Sequence, residues 1–175
     1  MVINMSTSRM TEDVAKAAGA RVVRTAVGEV NVAERMKDEK ASFGGEGNGG
    51  VMDPLVHYGR DAIVGMGLIL EHLAVTGKPV SQLASALPKW YMVKSRIEIP
   101  TARSREMLRR LKAESHEAEV NTEDGLRLDW AERWVHLRAS NTEPVMRVIA
   151  EARREGEAEA LVEQYTRRVQ ELLKS

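Results

Sequence analysis

Apolar positions fall into short runs separated by turn residues, and their spacing changes character near the middle of the chain. Val2–Met5 is an apolar run of strand length. Ser6, Thr7 and Ser8 then offer caps to a helix whose Met10, Val14, Ala17 and Ala18 share one face, with Gly19 as its stop. Arg21–Thr25, holding Val22 and Val23, predicts a second strand, and Gly28 breaks the pattern. Val32, Ala33 and Met36 outline another amphipathic helix, followed by a short strand at Ala41–Phe43. Strand–helix–strand–helix–strand with short connections predicts a parallel α/β sheet. Asp61 is a candidate N-cap for a strong helix with Ile63, Met66, Leu70 and Leu73 at helical spacing, ended by Gly77. Met52 and Met66 read as core filling. A short helix over Ser81–Ala86 leads to Pro88.

A domain boundary fits at Leu87–Lys89, giving domains 1–88 and 89–175. Beyond it Tyr91, Val93, Ser95, Ile97 and Ile99 alternate with polar residues, which predicts a half-exposed strand ended by Pro100. Ser104 is a candidate cap for a helix with Met107, Leu108 and Leu111 inward. Asp124-Gly125 is a hairpin turn signal between Val120 and Leu126–Leu128. Two apolar-rich runs in Trp134–Ala150 flank the polar turn Asn141–Pro144, predicting a second hairpin. Glu155–Leu173 closes the chain as an amphipathic helix with Ala158, Leu161, Val162, Tyr165, Val169 and Leu172 inward. The order strand–helix–three strands–helix reads as a small α+β sandwich.

Composition narrows the chemistry. Of 175 residues, 43% are hydrophobic and 30% charged, and the formal net charge is +0, which disfavours a nucleic-acid or membrane-surface binder. The chain has no cysteine, which removes disulfides, thiolate metal sites and thiol catalysis. Aromatic content of 4% leaves little for base-stacking platforms. With no apolar run of membrane-span length and no signal-peptide layout, a cytoplasmic protein is the expectation.

Two stretches carry candidate chemistry. The hairpin at Trp134–Ala150 places Arg138, Ser140, Asn141, Thr142 and Arg147 around one turn. Guanidinium forks match phosphate oxygens bidentately, and turn amides can form an anion nest. An exposed turn with solvated arginines has the same composition. The second stretch, Gly44–Gly50, holds five glycines in seven residues but matches neither a Walker loop nor the dinucleotide pattern. Its Glu46 and Asn48 lie two apart and would point the same way if extended, a carboxylate and carboxamide suited to sugar hydroxyls. A flexible linker is the alternative, although linkers favour Ser and Gly mixtures. His57 reads as a polar loop residue, Arg60 as a solvated charge or an aid to anion binding, and Arg109, Arg110 and Lys112 as a solvated face.

Taken together, Gly-Gly-Glu-Gly-Asn-Gly-Gly and Arg-Ala-Ser-Asn-Thr-Glu-Pro followed by Arg147 resemble the α-D-phosphohexomutase superfamily of phosphoglucomutase/phosphomannomutase and phosphoglucosamine mutase. The resemblance runs through nearly the whole chain, including Thr25–Met36 and Gly59–Ile63. It implies the third and fourth of four domains: an α/β three-layer domain, incomplete at its N-terminus, then a small α+β domain with an antiparallel sheet and two helices. It implies sugar contacts from Gly45, Glu46, Gly47 and Asn48, with Arg24 near the substrate as in the glucosamine branch. Asn48 stands where relatives have Ser, Gly50 where they have His, and Glu29 where some have His. Phosphate contacts are implied for Arg138, Ser140, Asn141, Thr142 and Arg147.

Family catalysis uses a phosphoserine loop and a Mg²⁺ held by an Asp-x-Asp-x-Asp-like loop, and neither motif occurs in this sequence. No catalytic or metal-binding residue is therefore assigned. The expectation is the substrate-binding part of a mutase that interconverts hexose 6-phosphate and hexose 1-phosphate through a bisphosphate. Alone, such a part would be inactive. Its partners would be a hexose phosphate or bisphosphate and the enzyme's N-terminal domains, with neither nucleic acid nor membrane. Apolar surface left without its cover would invite association. Ser-Asn-Thr in the phosphate loop leans towards the phosphoglucomutase/phosphomannomutase branch. The alternatives are a phosphoglucosamine mutase C-terminal part, a stand-alone phosphosugar-binding module, and a structural domain without ligand.

Overall fold

The computed structural model describes residues 1–140 and 142–174. These form two compact units, Met1–Lys89 and Trp90–Ser175.

The first unit holds β1 (Val2–Asn4), α1 (Met10–Ala17), β2 (Val23–Thr25), α2 (Glu29–Asp38), β3 (Gly44–Glu46), β4 (Gly50–Met52), α3 (Ala62–Thr76) and α4 (Val80–Ser85). Its sheet runs β2-β1-β3-β4, with β1 parallel to β2 and to β3, and β4 antiparallel to β3. The sheet is thus mixed rather than wholly parallel, because the glycine stretch folds back on itself as a hairpin. The third strand begins at Gly44, not at Ala41–Phe43. The chain leaves β1 towards β2 and leaves β3 towards β4, so connections diverge between β1 and β3. In α/β sheets the crevice at the carboxyl ends of two such strands is where ligands bind.

Val2, Val32, Met36, Ala41 and Met52 form the core of this unit. A Cβ on Gly44 would stand 2.2 Å from Met36 Sδ, so glycine is what lets α2 lie against β3. The inward face expected for α1 is turned out. Only Ala15 is buried and Val14, Ala17 and Ala18 are exposed, while Glu12 of the same helix lies 2.7 Å from Arg24. Asp61 caps α3 by accepting from the N–H groups of Ile63 and Val64, and Gly77 ends it. No residue of α3 is buried, and Met66 is 55% exposed instead of filling the core. The helix seats against β4 at Gly65, where a Cβ would stand 3.4 Å from Val51 Cγ2, and that contact leaves Ile63, Ile69 and Leu70 outside.

The second unit holds β5 (Tyr91–Glu98), α5 (Thr101–Ala113), β6 (Glu119–Asn121), β7 (Leu126–Asp129), β8 (Arg133–Ala139), β9 (Val145–Ala152) and α6 (Glu157–Lys174). Four strands, not three, separate the helices, and the antiparallel sheet runs β5-β9-β8-β7-β6. The six residues expected inward on α6 are its buried residues. Leu161, Val162, Tyr165, Val169 and Leu172 pack with Met107 and Leu111 of α5 against Ile97, Leu126, Val135, Leu137, Met146 and Val148. Ser104 is no cap. Pro100 leads straight into α5, which places Ser104 inside the helix and buried.

Strand β8 departs from simple alternation, since Trp134, Val135, His136 and Leu137 are all buried. Val135 and Leu137 belong to the helix-covered core. On the opposite face Trp134 donates to Glu151 Oε2 at 2.7 Å and lies 4.1 Å under the Arg127 guanidinium. Arg127 in turn forks onto Asp129 at 2.7 and 2.8 Å.

Candidate functional site

In the first unit the chemistry gathers at the carboxyl ends of β1 and β3. Strand β3 delivers Glu46 and the chain then reverses through Gly47–Gly49, where Gly49 has φ 93° and its N–H returns to the Glu46 carbonyl at 3.1 Å. A Cβ on Gly45 would stand 2.6 Å from the Gly50 carbonyl oxygen, so the two arms tolerate no side chain there. This reversal separates Glu46 and Asn48, which do not point the same way. Glu46 is 8% exposed, whereas Asn48 is exposed at the tip, its Oδ1 accepting from Gly50 N at 3.1 Å.

The Glu46 carboxylate is held from three sides. Asn4 Nδ2 donates to Oε1 at 2.9 Å, Gly28 N donates to the same oxygen at 3.1 Å, and Arg60 Nη1 lies 3.4 Å from Oε2. Asn4 is itself fixed, its Oδ1 accepting from Thr7 Oγ1 at 2.9 Å and Ser6 N at 3.0 Å. Arg60 also donates through N and Nε to Glu29, both at 2.9 Å. Those two bonds, from the backbone N–H first and the guanidinium second, hold the Glu29 carboxyl below its ordinary range. Arg24 turns into the same framework, with Nη1 donating to the carbonyls of Asn4 and Thr7 at 2.9 Å each. His57 accepts from Gly59 N through Nδ1 and meets Asp61 through Nε2 at 3.0 Å, which makes it part of the α3 approach.

In the second unit β8 and β9 pair so that Arg138 stands directly opposite Arg147. Cross-strand partners point to one face with Cβ atoms about 5 Å apart, so both guanidiniums rise from the same side of the sheet. Arg138 is partly buried and donates from Nε to Asp124 at 2.9 Å. Arg147 is exposed and has no ion pair among the described residues. Ser140 is 6% exposed, and its Oγ lies 3.4 Å from Thr142 N and 3.3 Å from Glu143 N. The hydroxyl thus closes the turn on itself and occupies amides that an anion nest would leave open. Thr142 stands exposed, and Asn141 lies outside the described residues. A cavity of about 580 Å³ opens beside this turn, lined by Thr101, Ser104, Arg105, Asp124, Arg138 and Ser140.

Sequence reasoning missed the partners that arrive from far along the chain: Asn4, Gly28 and Arg60 around Glu46, and Asp124 at Arg138. It also missed Arg96, which lies opposite Arg147 on the other flank of β9. The alternation of β5, with Ile97 and Ile99 inward, carried that signal, since it turns Arg96 outward. Among the described residues no group of three His, Cys, Asp or Glu could hold a metal ion. Among them, too, no helix is long and apolar enough to cross a membrane.

Comparisons with known proteins agree with this layout. The family "Phosphoglucomutase/phosphomannomutase, alpha/beta/alpha domain III" matches residues 1–91, and "Phosphoglucomutase/phosphomannomutase, C-terminal domain" matches residues 92–168. A phosphoglucomutase/phosphomannomutase of Thermococcus kodakarensis is 35% identical over 99% of this chain and 38% of its own. A phosphoglucosamine/phosphogalactosamine mutase of Sulfurisphaera tokodaii is 33% identical over 93% of this chain and 36% of its own. The crystal structure of a Burkholderia thailandensis phosphoglucomutase/phosphomannomutase family protein superposes with a TM-score of 0.81 at 24% identity, over 99% of this chain and 37% of that one. The chain therefore spans under two fifths of the length of each of these relatives. It belongs to the phosphoglucomutase/phosphomannomutase family, of which it carries domain III and the C-terminal domain.

Proposed function

We propose that this chain is the substrate-binding part of a phosphohexomutase, its second unit carrying a phosphate-binding turn and its first a sugar-reading loop. The observation that carries the reading is the in-register pair Arg138–Arg147 beside the Ser140 turn. Two guanidiniums on one face offer a phosphate two planar forks. Arg147 supplies an uncommitted charge. Arg138 supplies one that Asp124 orients and shares, and the exposed Thr142 hydroxyl adds a donor at the rim. Asn48 presents its amide at the hairpin tip, where a sugar hydroxyl can both donate and accept. Glu46, Gly45, Gly47 and Arg24 build the hairpin and its support. The Glu46 carboxylate is already held by three partners, so its part is to anchor the loop that carries Asn48.

The reaction proposed for the parent enzyme turns a hexose bisphosphate end for end between two phosphoryl transfers. A grip that reads a phosphate at one point and hydroxyls at another accepts either pose. The transfer itself is assigned to the part of the enzyme outside this chain, in line with the missing phosphoserine and metal motifs. The Sulfurisphaera relative favours a second reading of the substrate, an amino-sugar phosphate.

Calorimetric titration with glucose 1,6-bisphosphate tests the assignment. A charge-assisted hydrogen bond contributes about 1.5–3 kcal/mol, so Arg147→Ala is expected to weaken binding about 10- to 150-fold. Unchanged affinity in the folded variant would sink the phosphate site. Tighter binding of glucosamine 1,6-bisphosphate would select the amino-sugar reading. Mutase turnover by the purified chain alone would overturn the division of labour.

A further inference from the structure

Strand β9 has a second neighbour. Its Arg147 is paired with Arg138 of β8 on one side and with Arg96 of β5 on the other, so three arginines occupy one cross-strand row. Directly paired residues in antiparallel strands share a face, and their Cα atoms lie about 4.5–5.5 Å apart. The row is therefore about 10 Å long and entirely on the side away from the α5–α6 core. Like charges directly opposite each other destabilise a sheet unless something neutralises them. Asp124 neutralises Arg138 at 2.9 Å. Among the described residues, neither Arg96 nor Arg147 has an ion pair or a side-chain hydrogen bond, and both are exposed.

We infer that Arg96 is a third cation of the phosphate grip, sharing with Arg147 the oxygens of a sugar phosphate laid across β9. The inference rests on the phosphate site proposed above. The setting of Arg96 points to a phosphosugar rather than to a bare anion. A cavity of about 580 Å³ beside it is lined by Arg96, Glu98, Pro100, Thr142 and Glu143. Neither Glu98 nor Glu143 pairs with Arg96 among the described residues. Carboxylates only accept hydrogen bonds, so these two repel free phosphate but suit the hydroxyl groups of a sugar whose phosphate sits on the arginines.

The test is calorimetric titration of the full 175-residue chain with glucose 1,6-bisphosphate, comparing Arg96→Ala, Arg96→Lys, Arg147→Ala and Lys94→Ala. Lys94 is an exposed cation two residues before Arg96 that pairs with Ile149, two pairs further from the turn. Arg96→Ala is expected to weaken binding about 10-fold, the lower end for a charge-assisted contact because the side chain is exposed. Arg96→Lys should fall between, keeping the charge but losing the fork, and Lys94→Ala should bind as the parent does. Unchanged affinity in Arg96→Ala with weakened Arg147→Ala overturns this inference and leaves the phosphate site standing. Equal weakening by Arg96→Ala and Lys94→Ala overturns it as diffuse attraction. Absence of binding by the parent chain overturns both.

Discussion

Glu46 is the member of the glycine hairpin whose substitution should be felt most in the fold. Removing its carboxylate with Glu46→Ala deletes the acceptor of two hydrogen bonds, from Asn4 Nδ2 at 2.9 Å and Gly28 N at 3.1 Å. Hydrogen bonds to a charged partner contribute about 1.5–3 kcal/mol each. The Arg60 contact at 3.4 Å adds little, because that guanidinium is 40% exposed and such pairs contribute about 0–1 kcal/mol. Relief of the buried carboxylate's own desolvation offsets part of the sum, leaving a net loss of about 3–4 kcal/mol. For a unit whose whole stability is about 5–15 kcal/mol, that is a large fraction.

The three tryptophans, Trp90, Trp130 and Trp134, all lie in the second unit, so their fluorescence does not report this loss. Native-state hydrogen exchange, read by mass spectrometry on peptides covering β1 and β3, reports it directly. The expected outcome is exchange about 10²- to 10³-fold faster in those peptides, with tryptophan fluorescence serving to show that the second unit is folded. Glu46→Gln keeps one acceptor for Asn4 and Gly28 and should lie well below Glu46→Ala. An acceleration under about tenfold in Glu46→Ala, equivalent to about 1.4 kcal/mol, would refute the anchoring role. It would return Glu46 to the status of a free ligand group.

Two further outcomes follow from the second unit, both read from urea unfolding followed by tryptophan fluorescence. Gly125 has φ +80° and its absent Cβ would stand 2.3 Å from the Leu137 carbonyl oxygen. Gly125→Ala should therefore cost more than the roughly 1–2 kcal/mol of a left-handed residue alone, and an unchanged midpoint would contradict the turn geometry. His136 is buried and its pKa is lowered, chiefly by desolvation, although its Nε2 donates to the Asp124 carbonyl. The unfolded chain then binds the proton more readily than the fold does. Stability from neutral His136 is full above about pH 6.5 and is lost as pH falls from there through the lower folded value. The urea midpoint should drop between pH 7.5 and 5.5, less steeply in His136→Gln, and a flat parent profile would contradict the burial argument.

Local pattern carried much of this molecule. The inward stripe of α6 follows from a 3.6-residue period with no help from the rest of the chain, and the Asp61 cap and Gly77 stop of α3 follow from residue chemistry. The second hairpin was legible because two apolar runs flank a polar turn, but the register that sets Arg138 opposite Arg147 came only from the structure. What local pattern could not carry was rotation and long-range partnership. Helix α1 keeps its predicted face exposed and presents Glu12 to Arg24, residues on different elements. The orientation of α3 is set by a glycine contact, so its apolar periodicity was real and its burial was not. The glycine stretch was readable as a ligand loop but not as strand, because glycine has low strand preference. It pairs here for want of side-chain obstruction. Glu46 looked free because Asn4, Gly28 and Arg60 lie 42, 18 and 14 residues away, and only the sheet order brings them together.

The two motifs that place this chain in its family each contain residues of two physical kinds. In the glycine hairpin, Glu46 and its supporter Arg24 are consumed by the fold, while Asn48 is exposed. In the β8–β9 hairpin, Ser140 is buried with its oxygen turned to the backbone and Arg138 is shared with Asp124, while Thr142 and Arg147 are exposed. A polar group already satisfied inside the protein gains little from a ligand, since the new hydrogen bond only replaces an old one. An exposed guanidinium facing two other cations gains more, because the ligand also relieves their repulsion. Substitutions at consumed positions should therefore appear first as lost stability, and those at exposed positions first as lost affinity. A binding loop needs both kinds. A turn held only by its ligand contacts would have to be ordered at each encounter, and that entropy would be subtracted from affinity.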